Sequence, residues 1–110
     1  MALDHVTVTV ATTATKIYTV PKGATQAYIT IQNRDTAAAF AIGDDTLDGL
    51  GTVNGGIKIP AASGSTVTSA AGQVQFWANA GDAIYAIAST TPSTSTCVVL
   101  ASYVLTGSAS

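Results

Sequence analysis

Residues 5–10 alternate strictly, with Val6, Val8 and Val10 on one face and His5, Thr7 and Thr9 on the other. A period of two marks a strand with one buried face. The pattern returns over 26–32, which turns Ala27, Ile29 and Ile31 inward, and over 74–78, which turns Val74, Phe76 and Ala78 inward. Shorter strands are predicted at 16–20, 38–42, 57–59, 65–68 and 83–88. The last, 96–105, is apolar on both faces, which predicts a central strand or one at an interface.

Turn chemistry separates these runs. Pro21, Lys22 and Gly23 form one turn, because proline fixes φ and glycine tolerates positive φ. Asn33, Arg34 and Asp35 form another. Asn79 to Asp82 is expected to close a hairpin between 74–78 and 83–88, and Asn54-Gly55 is a further hairpin signal. The longest irregular stretch runs over 43–56; 61–64 and 89–95 read as loops. Strands at roughly 8–12-residue spacing predict a sandwich or barrel. The expectation is an all-β chain, a single-domain antiparallel β-sandwich of jelly-roll-like form with about eight or nine short strands. It takes in residues 1–110, with a short N-terminal arm at 1–5 and a polar tail at 106–110.

Charge changes the picture more than any motif. Only 9% of the 110 residues are charged, against about 25% in an ordinary soluble domain. All six acids are aspartate, and the net charge is −2. Much of the 47% hydrophobic content is alanine, so the core is thin and stability leans on backbone ladders and on association. Lys16, Lys22, Arg34 and Lys58 stand apart, with no basic stripe to meet phosphates or an anionic membrane. The opening residues lack the basic and apolar regions of a signal peptide. No run reaches the roughly 18 apolar residues of a membrane helix. The chain is therefore expected to stay in the cytosol unless it leaves by assembly into something larger.

Candidate chemistry is sparse. Asp44, Asp45 and Asp48 are a weak metal candidate, since Asp44, Thr46, Asp48 and Gly49 have the spacing that opens a calcium loop. The closing glutamate of that motif is replaced by Gly55, and a solvated turn is the plainer reading. His5 is the lone histidine, which excludes a histidine-rich metal site, and no Gly-x-Ser-x-Gly elbow supports a triad. Cys97 opens an apolar strand and reads as a small hydrophobe. With so few titratable groups the chain is not expected to be an enzyme, and no cofactor is expected. The aromatics say more. Alternation turns Trp77 away from the core with Gln75 and Asn79, and Tyr28 with Gln26, Thr30 and Gln32. An outward tryptophan anchors a protein interface, stacks on a sugar ring, or simply covers a sheet face.

The runs AYITIQN (27–33), FAIGD (40–44), GIKIPA (56–61) and AIYAIA (83–88) resemble small tailed-bacteriophage virion proteins of the capsid decoration, or cement, type. The resemblance runs from near residue 20 to near residue 105. It departs after the middle strand, where the family's Ala-Gly becomes the longer Pro60-Ala61-Ala62-Ser63-Gly64. It implies a β-sandwich without catalytic residues that binds the outside of a phage shell and bridges capsid subunits. The implied partner is the major capsid protein and the implied place the virion surface, after synthesis in the host cytoplasm. A homotrimer at local symmetry axes is the family-level expectation. Leu3, His5, Val6, Tyr28 and Trp77 are the expected interface residues. The rival expectations are a carbohydrate- or host-binding module of a head or tail fibre, and a tail or connector component.

Overall fold

A computed structural model describes residues 2–35, 38–47, 56–59, 73–89 and 97–105. They form β1 (Ala2–Val8), β2 (Thr15–Thr19), β3 (Ala24–Asn33), β4 (Phe40–Gly43), β5 (Ile57–Ile59), β6 (Gln73–Ala78), β7 (Ala83–Ala88) and β8 (Cys97–Leu105). Two four-stranded antiparallel sheets result, ordered β1-β8-β3-β6 and β2-β7-β4-β5. The chain is an all-β sandwich. β1 pairs with β8, β2 with β7, β3 with β6 and β4 with β5. First meets last and so on inward, as in one long antiparallel ribbon rolled over on itself. The predicted strand at 65–68, the Asn54-Gly55 turn, the 61–64 loop and the 106–110 tail lie outside the described residues.

The core fills the space between the sheets. Phe40, Ile29, Ile31, Ile59, Val10, Val20 and Val99 are fully buried there. Each such side chain contributes on the order of 1.5–3 kcal/mol when taken out of water. Ala27, Ala86, Ala88 and Ala101 complete this inner layer. β8 is central, flanked by β1 and β3, as its apolar run predicts. A second, smaller cluster lies on the opposite face of the β4 sheet. There Leu47 packs with Ala41 and Ile87, with Tyr85 against them. Gly56, at φ +68°, lets the backbone pass close to Ile42 and Leu47.

Three expectations are corrected. Residues 2–5 are no arm, because β1 begins at Ala2 and pairs with β8 from Ala2–Tyr103 onward. The alternation seen from His5 reaches back through Asp4 and Leu3, which is why the ladder starts early. Val6 lies on the inner face and packs against the core, so it does not join Leu3 and His5 on the outside. The turn at Asn79 to Asp82 closes no hairpin: β6 belongs to one sheet and β7 to the other. Asp82 N–H donates to the Asn79 carbonyl at 3.0 Å, and Gly81 has φ +85°. That is type II geometry, whose twist splays the flanking strands, unlike the primed turns of tight hairpins. Val20 then holds the turn, its N–H donating to the Asp82 carbonyl and its carbonyl accepting from Gly81.

Two β-bulges break the alternation. One, between Lys16 and Tyr18, lets both Ile17 and Tyr18 turn into the core. The other, between Ala24 and Ala27, leaves Thr25 and Gln26 both exposed. An extra residue on one strand bends the ladder locally and re-aims its neighbours.

Candidate functional site

The outer face of the β1-β8-β3-β6 sheet can be built from the registers. Leu3 stands opposite Ser102, Ser102 opposite Tyr28, and Tyr28 opposite Trp77. Three strand spacings separate Leu3 from Trp77, about 15 Å. The next row runs His5, Leu100, Thr30, Gln75, and the next Thr7, Val98, Gln32, Gln73. None of these rows carries an aspartate, lysine or arginine. Leu3 is 65% exposed, Trp77 63%, Val104 48% and Leu100 41%. Four exposed apolar side chains thus share this sheet face.

Tyr28 and Trp77 form the rigid part of this face. Their ring centroids are 5.0 Å apart with planes tilted by 57°. A directly opposed aromatic pair of this kind adds about 0.5–1.5 kcal/mol beyond its buried area. Both rings point outward, as alternation predicts. His5 lies exposed beside Leu100 in the second row. Nothing in the sequence marks Leu100 and Val104 as outward-facing. Their strand is apolar on both sides, and only the sheet order tells which side meets the core.

Aspartates occupy three other settings. Asp4 faces inward from β1, where its Oδ2 accepts from the Tyr18 hydroxyl at 2.6 Å and from the Tyr103 hydroxyl at 3.0 Å. Tyr18 belongs to one sheet and Asp4 and Tyr103 to the other, so this trio clamps the sheets together. Burial first, then the Asp4 hydrogen bond and charge, push both phenols above the ordinary tyrosine value. Asp44 is engaged locally: its Oδ1 accepts from the Thr46 hydroxyl at 2.5 Å and from the Thr46 N–H at 2.9 Å. Those bonds, the hydroxyl's first, hold its carboxyl below the usual range. Asp45 is exposed beside it, and Asp48 lies outside the described residues. Among the described residues no three His, Cys, Asp or Glu groups gather around a possible metal position.

The third setting is a buried hub. Asn33 and Asp35, read from sequence as plain turn residues, are both fully buried. Asn33 Nδ2 donates to the Ala38 carbonyl at 2.9 Å and to the Ile59 carbonyl at 3.4 Å. Its Oδ1 accepts from Asp35 N–H at 2.8 Å, and Asp35 Oδ2 accepts from Ala38 N–H at 2.5 Å. The hub ties the end of β3 to the start of β4 and the end of β5.

Cys97 is buried in the core, and burial pushes its thiol up to about 12. The folded state keeps the thiol protonated, whereas an unfolded thiol ionises near pH 8.5. Stability is therefore full below about pH 8 and is lost as pH rises toward 12, at up to about 1.4 kcal/mol per pH unit. Tyr18 and Tyr103 add a loss of the same sign above their unfolded value of about 10. The urea midpoint is expected to be flat from about pH 6 to 8 and to fall between about pH 8.5 and 10, with Cys97→Ala delaying the onset. Equal midpoints at pH 7 and 10 would contradict this assignment.

A cleft of about 370 Å³ opens between β6 and the other sheet, lined by Ile42, Ile57, Phe76, Trp77 and Ile84 together with Asp44 and Asp82. Among the described residues its lining is mostly apolar, with two aspartates and no lysine or arginine.

Comparisons add little beyond this geometry. No family model matches the chain, and no curated protein does. A solved chain from Bacillus endospore appendages, described as a novel family of disulfide-linked pili, is 20% identical. The match covers 96% of this chain and 88% of that one, with a TM-score of 0.47. At that identity and score, nothing of its assembly transfers to this chain.

Proposed function

We propose that this chain is a structural subunit that decorates the outer surface of a bacteriophage capsid and stabilises the shell by bridging capsid subunits. The observation that carries the structural half of this reading is the uncharged outer sheet face bearing Leu3, Leu100, Val104 and the Tyr28–Trp77 pair. The capsid half rests on the sequence resemblance to cement proteins. We read the rolled ribbon as a jelly roll, an architecture used by capsid and lectin domains among others; fold alone does not assign function. The mechanism is linkage. A protein that binds only the assembled lattice shifts the equilibrium against disassembly. With few charges available, docking relies on apolar burial and on the Gln, Thr and Ser side chains of the same face.

Two measurements test the reading. Quantitative mass spectrometry of purified virions is expected to give an abundance comparable to that of the major capsid protein. A few copies would mean a tail or connector part, and absence would overturn the virion assignment. Trp77→Ala is expected to weaken shell binding by about tenfold or more, since buried interface tryptophans cost about 2 kcal/mol or more on truncation. The free domain should lose only what the Tyr28–Trp77 pair contributes, about 0.5–1.5 kcal/mol, because Trp77 is otherwise exposed in it. An unaltered melting curve for decorated shells would remove Trp77 from the interface.

The cleft favours one rival, a small-ligand module. An exposed tryptophan beside carboxylates suits a sugar, whose apolar ring face stacks while its hydroxyls donate. Binding on a glycan array, abolished by Asp82→Ala, would establish that reading in place of capsid decoration.

A further inference from the structure

The four edge strands of the sandwich are not equally protected. β1 carries an inward-pointing charge, Asp4, in its middle. β2 carries Lys16 and a bulge. β5 is three residues long with Lys58 at its centre. Inward charges, lysines, bulges and short length are the devices by which sheets avoid pairing edge to edge. β6, with the sequence QVQFWA, has none of them. It is six residues long, contains no charge and no proline, and keeps an unbroken register with β3 from Ala27–Ala78 to Gln32–Gln73. Its inner side chains also differ from those of the central strands. Val74 and Phe76 are only partly buried, whereas Ile29, Ile31, Val99 and Ala101 are wholly so. Among the described residues β6 has one strand partner, β3.

We propose that the edge of β6 turned away from β3 is a docking site for β6 of a second copy, paired antiparallel across a two-fold axis. A two-fold normal to the sheet must place like faces side by side, so the symmetric register is centred on a residue. Centring on Gln75 sets Gln75 opposite its symmetry mate and Val74 opposite Phe76 twice. Gln73 then lies opposite Trp77 twice on the outer face. The two glutamine amides can bond each other, each having donors and an acceptor. The Val74–Phe76 pairs complete the burial that one copy leaves unfinished, and apolar cross-strand pairs of this kind stabilise a sheet. No like charges meet across the axis. The occupant is a second copy rather than a foreign strand because the segment complements itself in this register with no charge or proline to oppose it. Pairing also joins the two outer faces into one eight-stranded surface, doubling the uncharged area that carries Trp77.

Sedimentation velocity of the purified protein tests this. The wild type is expected to be a dimer at tens of micromolar, with concentration-dependent dissociation. Gln75→Lys, at an exposed position, is expected to keep the melting curve and to raise the dimer dissociation constant at least about tenfold, because it sets two lysines face to face. Gln75→Glu alone should do the same, and mixing the two variants should restore a dimer containing one of each. A wild type that stays monomeric at hundreds of micromolar overturns the proposal. So does a trimer, or a dimer indifferent to both charges.

Discussion

Gly56→Ala is expected to destabilise the domain by roughly 3 kcal/mol, far more than an alanine costs at an ordinary turn glycine. Two effects add. The φ of +68° alone costs a residue with a Cβ about 1–2 kcal/mol. The added carbon would also stand 2.2 Å from the Ile42 carbonyl oxygen and 2.9 Å from Leu47 Cδ1. The leucine tip can move, but the carbonyl cannot move cheaply. Ile42 is laddered on both sides, to Ile57 and to Ala86. Relief would have to come from β5 pulling away, which would uncover Ile59, a fully buried core side chain. Gly81→Ala is the control. Gly81 has φ +85°, but its Cβ would meet nothing within 4 Å, so only the backbone cost of about 1 kcal/mol remains. Urea unfolding of the two variants separates these contributions. Equal losses would show that the close approach to Ile42 is not what demands a glycine at position 56.

The strands were legible because a half-buried strand writes its period into the sequence. Residues 26–32 and 83–88 alternate or run apolar wherever the backbone ladder is regular, and those ladders are what the structure contains. Legibility failed where a feature depends on geometry between segments. The bulge at Ile17 puts two successive residues into the core, which no period of two predicts. The turn after Ala78 has a hairpin's composition, yet its glycine sits where a type II turn needs it, and the strands part into different sheets. The site was half legible for the same reason. Trp77 and Tyr28 sit in alternating strands, so their outward direction follows from their neighbours. Leu100 and Val104 sit in a strand apolar on both sides, and only the position of β8 between β1 and β3 decides which side is outside. Asp4 carried no signal at all. Its two phenol partners are 14 and 99 residues away along the chain, and nothing local distinguishes it from a solvated aspartate.

Asp35→Ala is expected to cost about 3 kcal/mol, although sequence alone makes the position look like a surface turn. Asp35 is fully buried, and its Oδ2 accepts the N–H of Ala38, itself fully buried. Removing the carboxyl leaves that N–H without its acceptor, a penalty of about 1–3 kcal/mol. It also leaves a void beside Asn33, whose amide holds the Ala38 and Ile59 carbonyls. The losses reinforce each other because the same short loop closes β3, β4 and β5, and a half-satisfied buried network costs more than its bonds counted singly. Asp35→Asn keeps the shape and one acceptor oxygen, so it should lose less than half as much. Asn33→Ala combined with Asp35→Ala should lose less than the sum of the two single changes, since both act on one network. Urea unfolding of the four variants, Asn33→Ala alone included, decides the matter. Additive losses would mean that Asn33 and Asp35 act independently. A small effect of Asp35→Ala would mean that the ladders of β3 and β4 hold this end of the sandwich without the hub.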